Sequence, residues 1–537
     1  MFLFLNTFWF IRTFKHVLFW LYLWQLKEYH IGRFLDHFRT YKGKKLIYNY
    51  LLLFKVILAV LFVFDIEFFS LWFSILFLIY FIESAIFLKQ FWSKSLKRPV
   101  RTFKTLLLTF VSFAVSIIFL FWVSLAIKDE PHAPVYLLLF DILTPVIVSL
   151  AVLLMQPFFV IARNNILRKA AKKIKGFKNL TVVGITGSYG KTSTKEFLAT
   201  ILSKKFKVLK TKQHQNSEIG IANCILNDLN KDHEIFAVEM GSYKKGGIKL
   251  LCDMVKPKIG IVTGVNEQHL ALFGSMEKLL SAEGGGELAK ALPQDGLLVL
   301  NGDNKYCLDL YKRSDINKKI YSINKDKIDL DIHTEGIEVA QNSISFLAID
   351  KNKHLAHFNV NVLGKHNVQN LLAAILAAKE LGMSFDEIAE ACKDIKQFQA
   401  GMNLKEGKHG IKIIDSSYSA NSDGVLADLE YLSIFPKKKI IVMPCLIELG
   451  PKSKEVHEKI GKKIGEICDL AIITSKDKFD DIKRGAIESG IKEGNILFCE
   501  KPEDIYSMVT LFCAAGDTIL LEGRVPVKLI KLLVGSE

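Results

Sequence analysis

The chain has 537 residues, half of them hydrophobic, including 39 Phe, and a formal net charge of +16. That length exceeds what one core organises, so two or three separately packed units are expected. The charge does not mark a nucleic-acid binder, because many Lys and Arg flank apolar segments and no basic module with interleaved aromatics is present.

The apolar excess is crowded into the first 165 residues. Four stretches, about 46–64, 67–88, 105–127 and 135–162, reach the roughly 20 apolar residues that a membrane span requires. Residues 2–24 are a fifth candidate that carries Arg12, Lys15 and His16, and the sequence leaves open whether it crosses the bilayer or lies in its interface. It has no small-residue cleavage site, which argues against a removed signal peptide.

Basic residues gather at 39–45, 94–104 and 163–178, whereas the intervening turns carry Asp65 with Glu67 and Asp129 with Glu130. The positive-inside bias therefore predicts a multi-pass cell-membrane protein, in contact with membrane lipid, whose residues from 163 onward are cytoplasmic. Four spans would leave the N-terminus inside, and five would leave it outside. Lys55 and Glu83 fall within spans, where ionisable groups are candidates for a polar pathway; snorkelling is the simpler reading and is favoured for Glu83. The run from Trp24 to Tyr29 reads either as a membrane-surface recognition helix or, the favoured reading, as an ordinary interfacial aromatic belt.

A basic linker, 165–178, leads into short apolar runs at 181–186, 235–241, 259–265 and 297–303, with a helical-period segment at 191–204. This alternation predicts a mostly parallel sheet covered by helices. Between about 326 and 363 the pattern becomes strand-like alternation, read as a β-rich insertion before a helix near Asn367. A second series follows at 411–416, 439–445, 470–474, 495–499 and 518–522. The expected organisation is an α-helical membrane region of four or five helices (1–164), the linker, and two α/β domains, 179–397 and 398–537, with their boundary near 396–403. The eight Cys, from Cys224 to Cys513, lack the paired spacings of zinc or redox sites and read as reduced thiols.

The strand at 182–186 runs into Gly187-Ser188-Tyr189-Gly190-Lys191-Thr192-Ser193 at the start of a helix, the context a phosphate site requires. The glycines let backbone N–H groups approach phosphate oxygens. Lys191 supplies a point charge to the terminal phosphates, and the Thr192 hydroxyl can ligate Mg²⁺. All seven residues are candidate nucleotide contacts. The common phosphate-loop pattern wants Gly at position 185, where this chain has Ile185, so the shorter form Thr186-Gly187-x-x-Gly190-Lys191-Thr192 remains.

That form resembles the loop of Mur ligases and folylpolyglutamate synthases. Further matches to the Mur ligases follow in order: Glu239-Met240-Gly241, His269-Leu270 with Phe273-Gly274-Ser275, Gly364-Lys365-His366-Asn367-Val368-Gln369-Asn370, Asp415 to Asn421, and Glu448-Leu449-Gly450. Tyr418, Asn421 and Glu448-Leu449-Gly450 are most similar to the branch of that family that adds D-alanyl-D-alanine to a UDP-muramoyl tripeptide.

The resemblance implies a P-loop central domain, a Rossmann-like C-terminal domain, and an ATP-dependent, ADP-forming amide ligase of cell-wall synthesis. Such an enzyme activates a carboxylate as an acyl phosphate, which an amine then attacks. It implies ATP and Mg²⁺ as cofactors, Lys191 on the terminal phosphates, and Thr192, Glu239 and His269 at the metal. It pairs Asn367 and Asn370 with adenine, although alone these would read as an N-cap and a surface amide. It places Asp415 at the ribose, and Tyr418 and Asn421, more weakly, towards the incoming amine.

Three departures accompany the resemblance. The lysine that Mur ligases usually carbamylate near the metal is here Glu283, which offers similar charge on a shorter stem and joins Lys191, Glu239 and His269 as a catalytic candidate. A Gly-Arg pair at the start of the C-terminal domain reads Gly401-Met402, with Arg524 or a lysine as conceivable replacements. The N-terminal UDP-sugar domain is replaced by membrane spans, so the cell-wall precursor is either a UDP-linked or a lipid-linked muropeptide. The alternatives to a D-alanyl-D-alanine ligase are a ligase using another amine, and a nucleotide-binding membrane scaffold without catalysis.

Overall fold

Apolar runs longer than a bilayer is thick become helices in the computed structural model, which describes residues 2–64, 68–126, 133–212, 215–325, 329–396, 401–418 and 420–535. Asp65, Glu67, Asp129, Glu130, Ser419 and residues 397–400 of the domain boundary near 396–403 lie outside the described residues. The chain divides into two units, Met1–Asn164 and Asn165–Glu537.

The first unit comprises α1 (Phe2–Leu26), α2 (Ile31–His37), α3 (Tyr41–Ile47), α4 (Tyr50–Phe64), α5 (Phe69–Trp92), α6 (Phe103–Ala126) and the first part of α7 (Ala133–Ile174). Among the described residues, four stretches are long and apolar enough to cross a membrane: Tyr41–Phe64, Phe69–Trp92, Phe103–Leu125 and Ala133–Ile174. A helix of 24 residues reaches about 36 Å at 1.5 Å per residue, against a hydrocarbon core of about 30 Å. They coincide with the four apolar stretches expected from the sequence. α1 packs along α5 and α6 and buries Trp9, Leu21 and Trp24.

Two readings of this region are corrected. Glu83 does not snorkel: Lys55 Nζ donates to it at 2.5 Å and Arg12 Nε at 3.3 Å, because two cationic side chains meet it inside the bundle. Trp24 is not part of a surface belt: it is buried, stacks on Phe34 with centroids 3.9 Å apart and donates to Ser149 Oγ at 3.0 Å.

The basic linker is corrected as well. α7 stays helical to Ile174, and within the second unit Leu167, Ala170 and Ile174, three or four residues apart on one face, join a hydrophobic core.

The second unit holds two sheets. The larger contains β1 (Thr181–Thr186), β2 (Val208–Lys210), β3 (Ile235–Glu239), β4 (Ile259–Val262), β5 (Leu297–Asn301), β6 (Lys318–Ser322), β7 (Ile332–Val339), β8 (Ile344–Asp350) and β9 (Leu355–Val360). Their order is β2-β3-β1-β4-β5-β6-β7-β8-β9, parallel through β7 and antiparallel beyond it. The β-rich insertion is thus an extension of this sheet, since β7 pairs with β6 through Tyr321 and Ile332. β8 and β9 alternate buried and exposed residues, as strands covered on one face do. The helix His366–Glu380 buries nearly every residue against this sheet and α8 (Lys191–Leu202). Each large aliphatic side chain so buried contributes about 1.5–3 kcal/mol.

The smaller sheet contains β10 (Asn403–Glu406), β11 (Lys412–Ser416), β12 (Lys439–Met443), β13 (Leu470–Ile473), β14 (Ile496–Phe498) and β15 (Thr518–Glu522), in the order β10-β11-β15-β12-β13-β14. All pairings are parallel except β10 with β11. Two of its covering helices, Ser453–Ile467 and Phe479–Glu488, touch backbone to backbone at Gly461, Gly465 and Gly485. A Cβ at these positions would lie 2.3, 2.2 and 2.4 Å from carbonyl oxygens of the facing helix. The eight Cys are free thiols, and seven are buried. Burial pushes Cys252 and Cys307 up to about 12, away from reactivity.

Candidate functional site

The order of the larger sheet reverses at β1, with β3 on one side and β4 on the other, and the loop after β1 opens at the carboxyl ends of these strands. Crevices of this kind are where open α/β sheets bind ligands. Register sets Glu239, the last residue of β3, beside Ile185 of β1.

The loop is shaped for an anion. Gly187 has φ +140°, and a Cβ there would lie 2.2 Å from Thr263 Oγ1; Gly190 has φ +74°, and a Cβ would lie 2.3 Å from Asn370 Oδ1. Only glycine meets both demands. Gly190 caps α8 without a side-chain hydrogen bond, so the first N–H groups of that helix remain available to phosphate oxygens. Lys191 Nζ folds back over the loop, donating to the carbonyls of Gly187 and Ser188.

The side chains of the loop diverge. Ser188 Oγ donates to Glu283 Oε2 at 3.2 Å. Tyr189 turns inward: its hydroxyl accepts from Asn304 Nδ2 at 3.2 Å, and burial, the largest influence, with Asp423 behind it, pushes the phenol well above its ordinary value. The Tyr189 ring lies against Gly264, where a Cβ would come 2.2 Å from its hydroxyl oxygen.

A polar chain leads from the loop into the C-terminal domain. Buried Glu283 accepts from Ser188 through one oxygen and meets His269 Nδ1 at 3.1 Å through the other. His269 Nε2 lies 3.9 Å from Glu448 Oε2, and Tyr243 sets its ring edge-on to the imidazole at 5.1 Å. His269 and Glu448 both adopt left-handed backbone, at φ 66° and 68°. Such conformations cost about 1–3 kcal/mol in side-chain-bearing residues and concentrate at functional sites. The Ala271 N–H donates to the Glu448 carbonyl at 3.0 Å, which joins the two domains here.

Glu239 occupies a second buried cluster. Its oxygens accept from Asn216 Nδ2 at 3.1 Å and from Lys195 Nζ at 3.4 Å, and its N–H donates to Thr211 Oγ1. Lys195, fully buried, also pairs with Glu196 at 3.2 Å.

Among the described residues, no three His, Cys, Asp or Glu side chains form a metal group. Mg²⁺ seldom uses an all-protein cage; one or two carboxylates with phosphate oxygens and water complete its octahedron. Glu239 beside the loop and Glu283 against Ser188 supply oxygen donors of that kind, so the residues fit such an ion held jointly with a nucleotide.

Asn367 and Asn370 are both buried, which corrects their reading as a surface amide and an N-cap; Lys365 holds the cap position. Asn367 Nδ2 donates to the Leu363 carbonyl at 2.8 Å, Asn370 Nδ2 donates to Asn367 Oδ1 at 3.0 Å, and Asn370 Oδ1 abuts the loop at Gly190. In the C-terminal domain, Asp415 ends up beside Lys405. Burial opposes its carboxylate, yet Lys405 at 2.6 Å and the Ser417 hydroxyl at 2.5 Å hold the carboxyl below its ordinary value.

Met402 is buried in a core cluster with Leu363, Ile414 and Leu449. Arg524 is exposed, and its charge acts on Tyr418, which also senses Glu239. Asn421 caps the helix Ser422–Ser433 and, with Asp423, accepts from Asn266 Nδ2 at 3.0 and 2.8 Å.

Sequence reasoning missed Lys195, Asn216, Asn266 and Asp423, and it noted Glu448 only as part of a motif. Lys195 carried a signal, standing one helical turn after Lys191 among residues of an otherwise apolar face.

Residues 185–378 match the Mur ligase middle domain, and residues 402–525 match the Mur ligase, glutamate ligase domain. The UDP-N-acetylmuramoyl-tripeptide--D-alanyl-D-alanine ligase of Synechocystis sp. is 29% identical over 358 residues, which cover 64% of this chain and 71% of that one. Its Bacillus subtilis namesake is 27% identical over 364 residues, 66% of this chain and 75% of that one. Among solved structures, MurF ligase from Thermotoga maritima in complex with ADP aligns with a TM-score of 0.59 at 26% identity, covering 69% of this chain and 83% of that chain. MurF from Acinetobacter baumannii aligns with a TM-score of 0.60 at 22% identity, covering 67% and 78%, and supports the fold alone.

Proposed function

Because the chain belongs to the Mur ligase family, we propose that it is an ATP-dependent, ADP-forming ligase that joins D-alanyl-D-alanine to the UDP-N-acetylmuramoyl-tripeptide of cell-wall synthesis. The observation that carries this reading is the chain Ser188–Glu283–His269–Glu448, which ties the phosphate loop to the C-terminal domain. The family's relatives named for this reaction support the choice of substrates.

The reaction asks the protein mainly to position a nucleotide, a carboxylate and an amine, and to neutralise charge. Backbone N–H groups of residues 187–193 hold phosphate oxygens, and Lys191 exchanges its loop carbonyls for the terminal phosphates. Asn367 and Asn370 face the base and Asp415 the ribose. Glu283 fixes the tautomer of His269, accepting its Nδ1 proton and leaving Nε2 towards Glu448. Lys195 and Asn216 orient Glu239. Mg²⁺ bound with Thr192, Glu239 and Glu283 would supply positive charge against the phosphates. Apposition of the two domains shields the activated carboxylate from water.

We assign residues 179–397 to the ATP-binding middle domain and 398–537 to the C-terminal domain, behind a membrane region at 1–164. We place the chain in the cell membrane as a multi-pass protein with the ligase domains in the cytoplasm. Four long apolar helices and flanking basic residues support this.

The test is ADP release by the detergent-purified chain with Mg²⁺, the UDP-linked tripeptide and D-alanyl-D-alanine. Lys191→Ala is expected to lower the substrate-dependent rate about 10²–10³-fold. Tight ATP binding without ADP release would instead indicate a scaffold. A second reading keeps the chemistry but takes a lipid-linked muropeptide as acceptor. It is favoured by one observation: over a quarter of the Synechocystis enzyme has no aligned counterpart here, while this chain carries apolar helices ahead of its matched region. Comparing the two acceptors in the same assay separates the readings.

A further inference from the structure

Buried charge is costly in a bilayer unless it is paired, and the first unit gathers four charged side chains from four helices, Lys55 and Asp141 buried and Arg12 and Glu83 half-buried. Arg12 is on α1, Lys55 on α4, Glu83 on α5 and Asp141 on α7. Lys55 Nζ lies 2.5 Å from Glu83 and 2.8 Å from Asp141; Arg12 reaches Asp141 at 2.8 Å and Glu83 at 3.3 Å. Each cation thus touches both anions. The four lie eight to ten residues in from a helix end, Arg12 from Phe2, Lys55 from Phe64, Glu83 from Trp92 and Asp141 from Ala133. That is about 12–15 Å at 1.5 Å per residue, close to the middle of a core about 30 Å thick.

We propose that α1 crosses the bilayer as a fifth helix, docked at an intramembrane ion-pair site formed by Arg12, Glu83, Lys55 and Asp141, with the N-terminus on the face opposite the ligase.

Charge balance argues for α1 as an obligatory part of this site: without Arg12, Lys55 alone would face two carboxylates at mid-membrane. The direction of α1 follows from its hydrogen bonds. Near its start, Asn6 Nδ2 donates to Ser124 Oγ at 3.1 Å, at the end of α6, and Trp9 Nε1 donates to the Leu137 carbonyl at 2.9 Å, at the start of α7. Near its end, Gln25 exchanges hydrogen bonds of 3.1 and 2.6 Å with the backbone of Val100, just ahead of α6. α1 therefore runs antiparallel to α6 and parallel to α7, whose far end leads the chain into the ligase. Arg12, Lys15 and His16 lower the hydropathy of α1 without preventing its crossing, because Arg12 is paired inside the bundle.

The test uses the full-length chain, whose first Cys is Cys224. A Gly-Ser-Cys extension ahead of Phe2 is expected to react with a membrane-impermeant maleimide in intact spheroplasts, with the unextended chain as blank. Reaction only after lysis overturns the proposal. Arg12→Met is expected to lower the detergent-extracted yield at least about tenfold by stranding one negative charge, and Arg12→Met/Glu83→Gln to recover most of it by restoring balance. An unchanged yield for Arg12→Met, or no recovery in the double variant, overturns the site.

Discussion

Glu283 shows how one carboxylate can serve two neighbours. Its two oxygens are divided between the Ser188 hydroxyl and the His269 imidazole, so Glu283→Gln, which keeps shape but loses charge, must present an N–H to one of them. The expected result is a kcat lower by about tenfold or more with the fold retained, checked by steady-state kinetics beside circular dichroism. His457 acts one step further out. Its Nε2 accepts the Leu446 N–H at 2.9 Å and its Nδ1 donates to the Ser453 carbonyl at 2.5 Å, bracing the segment that presents Glu448. Burial, the largest influence, pulls the His457 imidazole below its ordinary value of 6.5, although the Ser453 carbonyl opposes this. The fold therefore holds neutral His457. Its contribution to stability is complete above pH 6.5 and declines as pH falls below that value. Thermal melts of the wild type should drop across that acid window, and His457→Gln should flatten the decline.

At the scale of elements, the loop between β1 and α8 makes the sharpest demand on backbone. Gly190→Ala places a methyl group in left-handed backbone and against Asn370 Oδ1. The strain of about 1–2 kcal/mol predicts an ATP Kd raised about 5–30-fold, measurable by calorimetry. Strands and the long apolar helices were legible in the sequence because period-2 and unbroken apolar runs are local signals. The phosphate loop was equally legible, being contiguous. The helical course of α7 to Ile174 was not, since Leu167, Ala170 and Ile174 are scattered among basic residues that read as a linker. Nor was the fate of Met402, whose burial among Leu363 and Ile414 depends on how two domains meet. The partnership of His269 with Glu448 spans 179 residues of sequence (448 − 269) and arises only on folding. Motif matching found these residues without showing that they touch.

At the scale of the molecule, the four long apolar helices bear on the proposed membrane placement. Four long apolar helices, each able to span about 30 Å of hydrocarbon, predict that the chain stays with membranes through washes in alkaline carbonate and high salt, and leaves them only in detergent. Recovery in the carbonate supernatant would contradict this.

The glycine contacts between the helices Ser453–Ile467 and Phe479–Glu488 carry a genetic consequence. Two helices that touch through Gly461, Gly465 and Gly485 leave no room for even one methyl group, so each position is a natural source of heat-sensitive alleles. Cells carrying Gly461→Ala should grow at low temperature and lyse when warmed, with their phosphate loop and membrane region untouched by the lesion.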